Sequence, residues 1–373
     1  MKVLELARWP VGGIRTYFRY TFCNSIFHKH FLVFVAPESS LRPLLQQCMP
    51  DNSFRLIETR DSLSGLFFAT ARLLASEDYT LLHSHGFTAG AISAPLCRLF
   101  GIPHLMTAHD VFQPGQFVGF RGRIKQRALG ITFRMIDIIH TVTEDGRENL
   151  LEYLPSLDRS RIHTILHGID TDNFSNAPAQ DFRRTIPGIG EHDFLIGFFG
   201  RFMAQKGFHY LVEALDILVK RKNLSRRPVV VTFGNGGYAR EEYAAIQQRR
   251  LGDHFVKLPH TDDMPGAMKG VDLVAMPSLW EACGLLAMES LVAGTPIIGT
   301  SCIGLREVLE GSPARIVPPG DAEALADAIE LEMTTPRREQ FLAWQPQAVA
   351  RFSPDRPAAE LLALYCLASG ESD

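Results

Sequence analysis

Two acids bracket the start of an apolar helical pattern between Ser278 and Pro296. Glu281 stands just ahead of Gly284, and Glu289 lies about a turn and a half farther on. A buried helix has no structural need for an acid on each side of its first turns, whereas a site for a ribose and two phosphates does. The helix start supplies unpaired N–H groups and a partial positive charge for phosphate. Gly284 lets a ligand approach that backbone, with Cys283 and Leu285 flanking it. A carboxylate at Glu289 can accept bonds from both ribose hydroxyls.

The remaining chemistry falls in loops that follow apolar runs. Arg201 and Lys206 share one such loop and offer the charge that a leaving diphosphate needs. Lys206 and Gly207 lack the spacing of a Walker loop, and Gly12 and Gly13 do not form G-x-G-x-x-G. The Gly12–Gly13 turn still suits close approach of a phosphate. Gly234 and His260, on two further loops, fit the walls of a nucleotide pocket, with His260 toward the base. His109 ends a strand beside Asp110, which can orient it; a neutral imidazole there can bond a sugar hydroxyl. His85 and Asp110 are placed on the acceptor side. His83 and His85, two apart on a strand, share a face and make a metal pair conceivable, but no third ligand is apparent nearby. Asp170 and Asp172 have D-x-D spacing, yet they sit among linker residues and read as turn caps. Arg121, Arg123, Lys125 and Arg127 form a basic stretch that suits anionic lipid or a pyrophosphate-linked acceptor, or simply a solvated helix face.

Short apolar runs alternate with longer helical patterns, which implies an α/β protein with parallel sheets covered on both faces. Strands are expected at 2–7, 31–36, 54–58, 80–84, 104–108 and 138–142. A second series falls near 194–199, 228–233, 254–258, 272–276, 296–299 and 315–317. At 373 residues the chain divides naturally into two doubly wound domains, 1–175 and 176–354, with a last helix at about 355–373 packing back on the first. The net charge of −3 argues against nucleic-acid binding. Six cysteines without a C-x-x-C pair suit reduced thiols in a cytoplasm or at its membrane face, and no run is long enough to span a bilayer.

Together these residues resemble the retaining family-four glycosyltransferases of the GT-B fold. The similarity runs from Gly12–Gly13 to Asp321. It is strongest in Arg201, Lys206 and Gly207, and in Glu281 and Glu289 followed by Gly294 and Pro296. The resemblance implies transfer of a sugar from a nucleotide-diphosphate donor to a saccharide or lipid-linked acceptor, in a cleft between two Rossmann-like domains, the first for acceptor and the second for donor. Arg201 and Lys206 would hold the diphosphate, Glu289 the ribose, and Gly13 a donor phosphate, with Glu281 near the donor sugar and His109 near the reacting centre. No cofactor or metal would be needed. Ala282 and Cys283 stand where the family often has Pro-Phe, which bears on the donor sugar. The alternatives are a nucleotide-sugar epimerase of the same fold, which the Arg201, Lys206 and Glu281/Glu289 pattern disfavours, and a non-catalytic partner subunit.

Overall fold

The computed structural model describes every residue except 38–40, 222–223, 234–235 and 372–373. It resolves into two compact units, Met1–Gly168 with Pro354–Asp373, and Ile169–Ser353.

The first unit is built on a seven-stranded parallel sheet. Its strands are β1 (Lys2–Ala7), β2 (Phe31–Ala36), β3 (Phe54–Glu58), β4 (Leu81–His85), β5 (His104–Ala108), β6 (Ile138–Thr141) and β7 (Ile162–Thr164), in the order β3-β2-β1-β4-β5-β6-β7. The edge strand β7 is not among the strands expected from the sequence. Alternation along β1 assigns its faces. Val3 and Ala7 enter a core with Phe18, Phe22, Phe34, Leu361 and Tyr365, while Leu4 and Leu6 enter another with Leu66, Leu74 and Leu96. Glu5 therefore points to the face that carries Tyr365. Each fully buried Phe or Leu contributes about 1.5–3 kcal/mol, so helix Asp355–Ser369 is held firmly on this unit.

The second unit has six parallel strands, β8 (Phe194–Phe198), β9 (Pro228–Thr232), β10 (Phe255–Lys257), β11 (Leu273–Met276), β12 (Ile297–Thr300) and β13 (Arg315–Val317), ordered β10-β9-β8-β11-β12-β13. Helices Phe208–Lys220 and Ala322–Thr334 cover one face with Leu211, Leu215, Leu218, Leu325 and Ile329.

Two expectations are corrected. The boundary lies between Gly168 and Ile169 rather than at 175. Helix Thr171–Asn176, capped by Asp170 through a 3.1 Å bond from the Asn173 N–H, packs on helices of the second unit and travels with it. Asp170 is thus a cap, as its linker position suggested. Cys23 and Cys48 are joined as a disulfide, not left as thiols. Packing of helix Gly13–Phe22 against Leu41–Cys48 brings them together across 25 residues, a proximity that sequence spacing does not reveal. No helix among the described residues is long and apolar enough to cross a membrane.

Candidate active site

In the second unit, the loops that leave the carboxyl ends of β8, β11 and β12 lock together. Open α/β sheets bind ligands at this edge. The chain after β8 makes a single 3-10 turn, Ala204–Lys206, and then Gly207, whose φ of 64° is left-handed. A β-carbon at Gly207 would strike the Pro277 carbonyl, so this close approach requires glycine. The seam is closed by Leu279 N–H donating to the Gln205 carbonyl (2.8 Å) and Gln205 Nε2 donating to the Trp280 carbonyl (2.9 Å). Glu281 N–H donates to the Ile303 carbonyl at 3.1 Å.

The seam places Lys206 Nζ 2.7 and 2.9 Å from the two carboxylate oxygens of Glu281. Ser278 Oγ donates to the same carboxylate at 2.6 Å, and Thr300 Oγ1 fixes the Ser278 carbonyl at 2.5 Å. Glu281 is only 4% exposed. Lys206 is therefore a fixed half of an ion pair and not a free charge on its loop. An ammonium has three donors, and two are spent on Glu281, which leaves one for a ligand. Arg201, on the same loop, is exposed and has no ion-pair partner among the described residues. Gly284 caps helix Leu285–Val292, and Glu289 lies half-buried on that helix, with Cys283 and Leu285 half-buried at its start. His260 stands in solvent, 3.4 Å from Asp262, rather than in a pocket wall. Gly234 lies outside the described residues.

In the first unit the strand ends converge on histidines. Gly12 caps helix Gly13–Phe22, and the space beside Gly13 is open. His109 follows β5, half-buried, its ring edge-on to Tyr17 at 4.8 Å and 5.9 Å from His167. His109 Nε2 meets His85 Nδ1 at 3.1 Å, and His85 Nε2 meets Glu5 Oε2 at 2.9 Å. The sequence paired His109 with Asp110. The exposed Asp110 carboxylate instead accepts from the Val111 N–H, and His85 orients the ring. His85 is only 2% exposed, so it stands behind His109 and does not itself meet an acceptor.

Glu5 also supplies the third donor that the His83/His85 pair lacked in the sequence; the three ligand-type atoms lie within 4.8 Å of one another. All three are spent on hydrogen bonds. Tyr365 O–H donates to Glu5 Oε1 at 2.8 Å and lies 2.7 Å from His83 Nδ1, so the cluster reads as a closed hydrogen-bond network. His83 Nε2 continues it to Thr107 Oγ1 (2.7 Å) and His140 Nδ1 (2.9 Å), and His140 Nε2 ends it on the Ile165 carbonyl (3.1 Å). Burial, then the fields of neighbouring histidines, holds His85 and His109 well below the ordinary imidazole range. Sequence reading missed Glu5, Tyr17, His140, His167 and Tyr365. The one available signal was an acid inside the apolar run of β1. A surface depression lined by Arg134, Ser156, Asp158 and Arg161 borders the amino ends of β6 and β7 and holds none of these residues.

Comparison with known proteins places this geometry. Residues 11–173 match the model for glycosyltransferase family 4, and residues 193–333 that for the glycosyl transferases group 1. The chain is 27% identical over 303 residues to a D-inositol 3-phosphate glycosyltransferase of Corynebacterium urealyticum, covering 77% of this chain and 71% of that protein. It is also 27% identical over 310 residues to the 2-deoxystreptamine N-acetyl-D-glucosaminyltransferase of Streptomyces fradiae, covering 79% and 72%. In fold it is similar to HepE of Anabaena, whose structure was determined in complex with UDP-glucose, with a TM-score of 0.83 over 98% of this chain and 99% of that one, at 18% identity. With matched models over both units, the chain belongs to the group 1, family 4 glycosyltransferases and has their GT-B fold.

Proposed function

We propose that the protein is a retaining, metal-independent glycosyltransferase that moves a sugar from a UDP- or GDP-linked donor to a saccharide or lipid-linked acceptor, in bacterial surface-polysaccharide or glycolipid assembly. The observation that carries the reading is the Lys206–Glu281–Ser278 cluster beside the start of helix Leu285–Val292. As the bond to the donor sugar breaks, negative charge builds on the departing β-phosphate. The third Lys206 donor, the Arg201 guanidinium and the helix N–H groups stabilise that charge more than they stabilise the bound donor. The same cationic set supports a reaction without a divalent metal. Among the described residues no side chain stands out as a covalent nucleophile, which fits front-face displacement, with a donor phosphate oxygen helping to take the acceptor proton. Relatives and neighbours named for UDP-glucose and for D-inositol 3-phosphate or 2-deoxystreptamine support this class of donor and polar acceptor.

The test is nucleotide release from UDP- and GDP-sugars with and without candidate acceptors, in excess EDTA. Acceptor-dependent release that survives EDTA supports the proposal. Interconversion of the donor without an acceptor supports the epimerase reading instead, and loss of all release in EDTA removes metal independence. Glu289→Gln is expected to weaken nucleotide binding by about tenfold, the scale of one charge-assisted bond. Unchanged affinity in a calorimetric titration would take Glu289 off the ribose.

One surface favours a lipid-linked acceptor. Helix Gly119–Phe133 carries Arg121, Arg123, Lys125 and Arg127 and no acid. It also exposes Ile124 and Ile131, with Phe120 75% and the preceding Val118 77% open to solvent. Cations interleaved with exposed apolar side chains suit the anionic inner face of a membrane, which would set a cytoplasmic enzyme against it. Sedimentation with phosphatidylglycerol vesicles, but not with phosphatidylcholine vesicles, is the expected result; no difference between the two would sink this assignment.

A further inference from the structure

The histidine network of the first unit has a direction, and that direction reaches His109. We propose that Glu5, acting through His85, is the positioning residue that fixes the His109 proton on Nε2 and leaves Nδ1 as an open acceptor for a hydroxyl of the saccharide. Only the role of that hydroxyl rests on the transferase reading; the proton arrangement stands on the hydrogen-bond geometry and the burial of the rings.

The argument begins at Glu5. A carboxylate only accepts, so the 2.9 Å contact from His85 Nε2 to Glu5 Oε2 puts a proton on His85 Nε2. The other carboxylate oxygen accepts from the Tyr365 hydroxyl at 2.8 Å, and His83 Nδ1 lies 3.2 Å from Oε2, so more than one neighbour holds Glu5 toward His85. Burial keeps both His85 and His109 neutral, so each carries one ring proton. With Nε2 protonated, His85 Nδ1 is a bare lone pair. The 3.1 Å contact from His109 Nε2 to that atom therefore requires the His109 proton to be on Nε2. Among the described residues, His109 Nδ1 has no hydrogen-bond partner.

The ring is also held in orientation. Tyr17 packs edge-on to His109 at 4.8 Å, and His85 stacks on it at 5.4 Å with 27° between the planes. A second chain runs the same way. The Ile165 carbonyl requires a proton on His140 Nε2, so His140 Nδ1 accepts from Thr107 Oγ1, which in turn accepts from His83 Nε2. That chain anchors His83, whose Nδ1 lies 3.2 Å from Glu5 Oε2, the same oxygen that His85 contacts. Partners that set a ring tautomer from behind are known to matter most where the front nitrogen meets a ligand.

The experiment is long-range ¹H–¹⁵N correlation of the histidine rings in uniformly labelled protein, with His109 assigned through His109→Gln. In the unsubstituted protein His109 is expected as a single neutral tautomer, protonated at Nε2 and bare at Nδ1. A protonated Nδ1, or a mixture of tautomers, overturns the proposal whatever any variant does. Glu5→Leu removes the acceptor while filling the buried volume; it should convert His109 to a mixture and lower acceptor-dependent kcat roughly tenfold to a hundredfold with UDP affinity unchanged. Tyr365→Phe, which keeps Glu5 against His85, should leave the His109 tautomer as it was. A folded Glu5→Leu protein with the original single tautomer would also overturn the proposal. If the tautomer is as stated but no donor and acceptor pair gives transfer, the proposed function fails and the proton arrangement stands.

Discussion

Lys206→Ala should lower acceptor-dependent turnover by about 10²-fold or more, the scale of losing one preorganised donor to a developing oxyanion. It should also weaken the second unit, because Glu281 is 4% exposed and would be left with Ser278 as its side-chain partner. Leaving one partner of a buried pair alone costs about 3 kcal/mol or more. The two effects separate in a double variant. Lys206→Met with Glu281→Gln replaces the pair by groups of similar volume without net charge, so denaturant unfolding should return close to the original midpoint. Turnover should not return. Near-normal turnover in Lys206→Ala would remove this lysine from the reaction and leave it a structural clasp between the β8 and β11 loops.

Mild acid should unfold the first unit before the second. Burial, as the leading cause, drives His104 and His167 down to about 3 and His140 down to about 4, from an ordinary 6.5. In the unfolded chain these rings take up protons near 6.5, whereas the folded unit resists protonation until far lower pH. Stability from neutral burial is therefore complete above about pH 6.5 and falls as the pH drops toward 4 and then 3. At pH 4 the loss is about 3 kcal/mol for each histidine, a large part of the margin of an ordinary domain. Thermal unfolding followed from pH 7 to pH 4 should show one transition falling steeply. A transition that holds its temperature over this range would mean that the rings titrate as they do in water.

The two-sheet architecture was legible because parallel strands buried on both faces leave apolar runs of four to six residues, each followed by a helical period. Arg201, Lys206, Glu281 and Glu289 were legible for a related reason: ligand sites on such sheets lie just past strand ends, where the chain order itself points to them. The pairing of Lys206 with Glu281 was not legible, since 75 residues separate them and only the meeting of the β8 and β11 loops joins them. The Glu5 network was hidden more deeply. Its members come from five strand and loop positions and from Tyr365, 360 residues from Glu5. Along the sequence, Glu5, His140 and Tyr365 each appear as a polar residue in an apolar stretch, and the spacing of His83, His85 and His109 reveals nothing of these partners. The disulfide was missed for the same reason, because helix packing rather than spacing made its partners neighbours.

The place of Tyr365 has a consequence for how the protein is made. The first unit is discontinuous: its sheet is complete by Thr164, but helix Asp355–Ser369, which lies over Glu5, is synthesised only after the whole of the second unit. During translation the second unit can fold as it emerges, while the earlier one must wait with an acid exposed in its open core. A released chain truncated after Ser353 should accordingly present a protease-resistant second unit behind an unfinished first one. Release of the remaining helix, and not the passage of time, is what closes it.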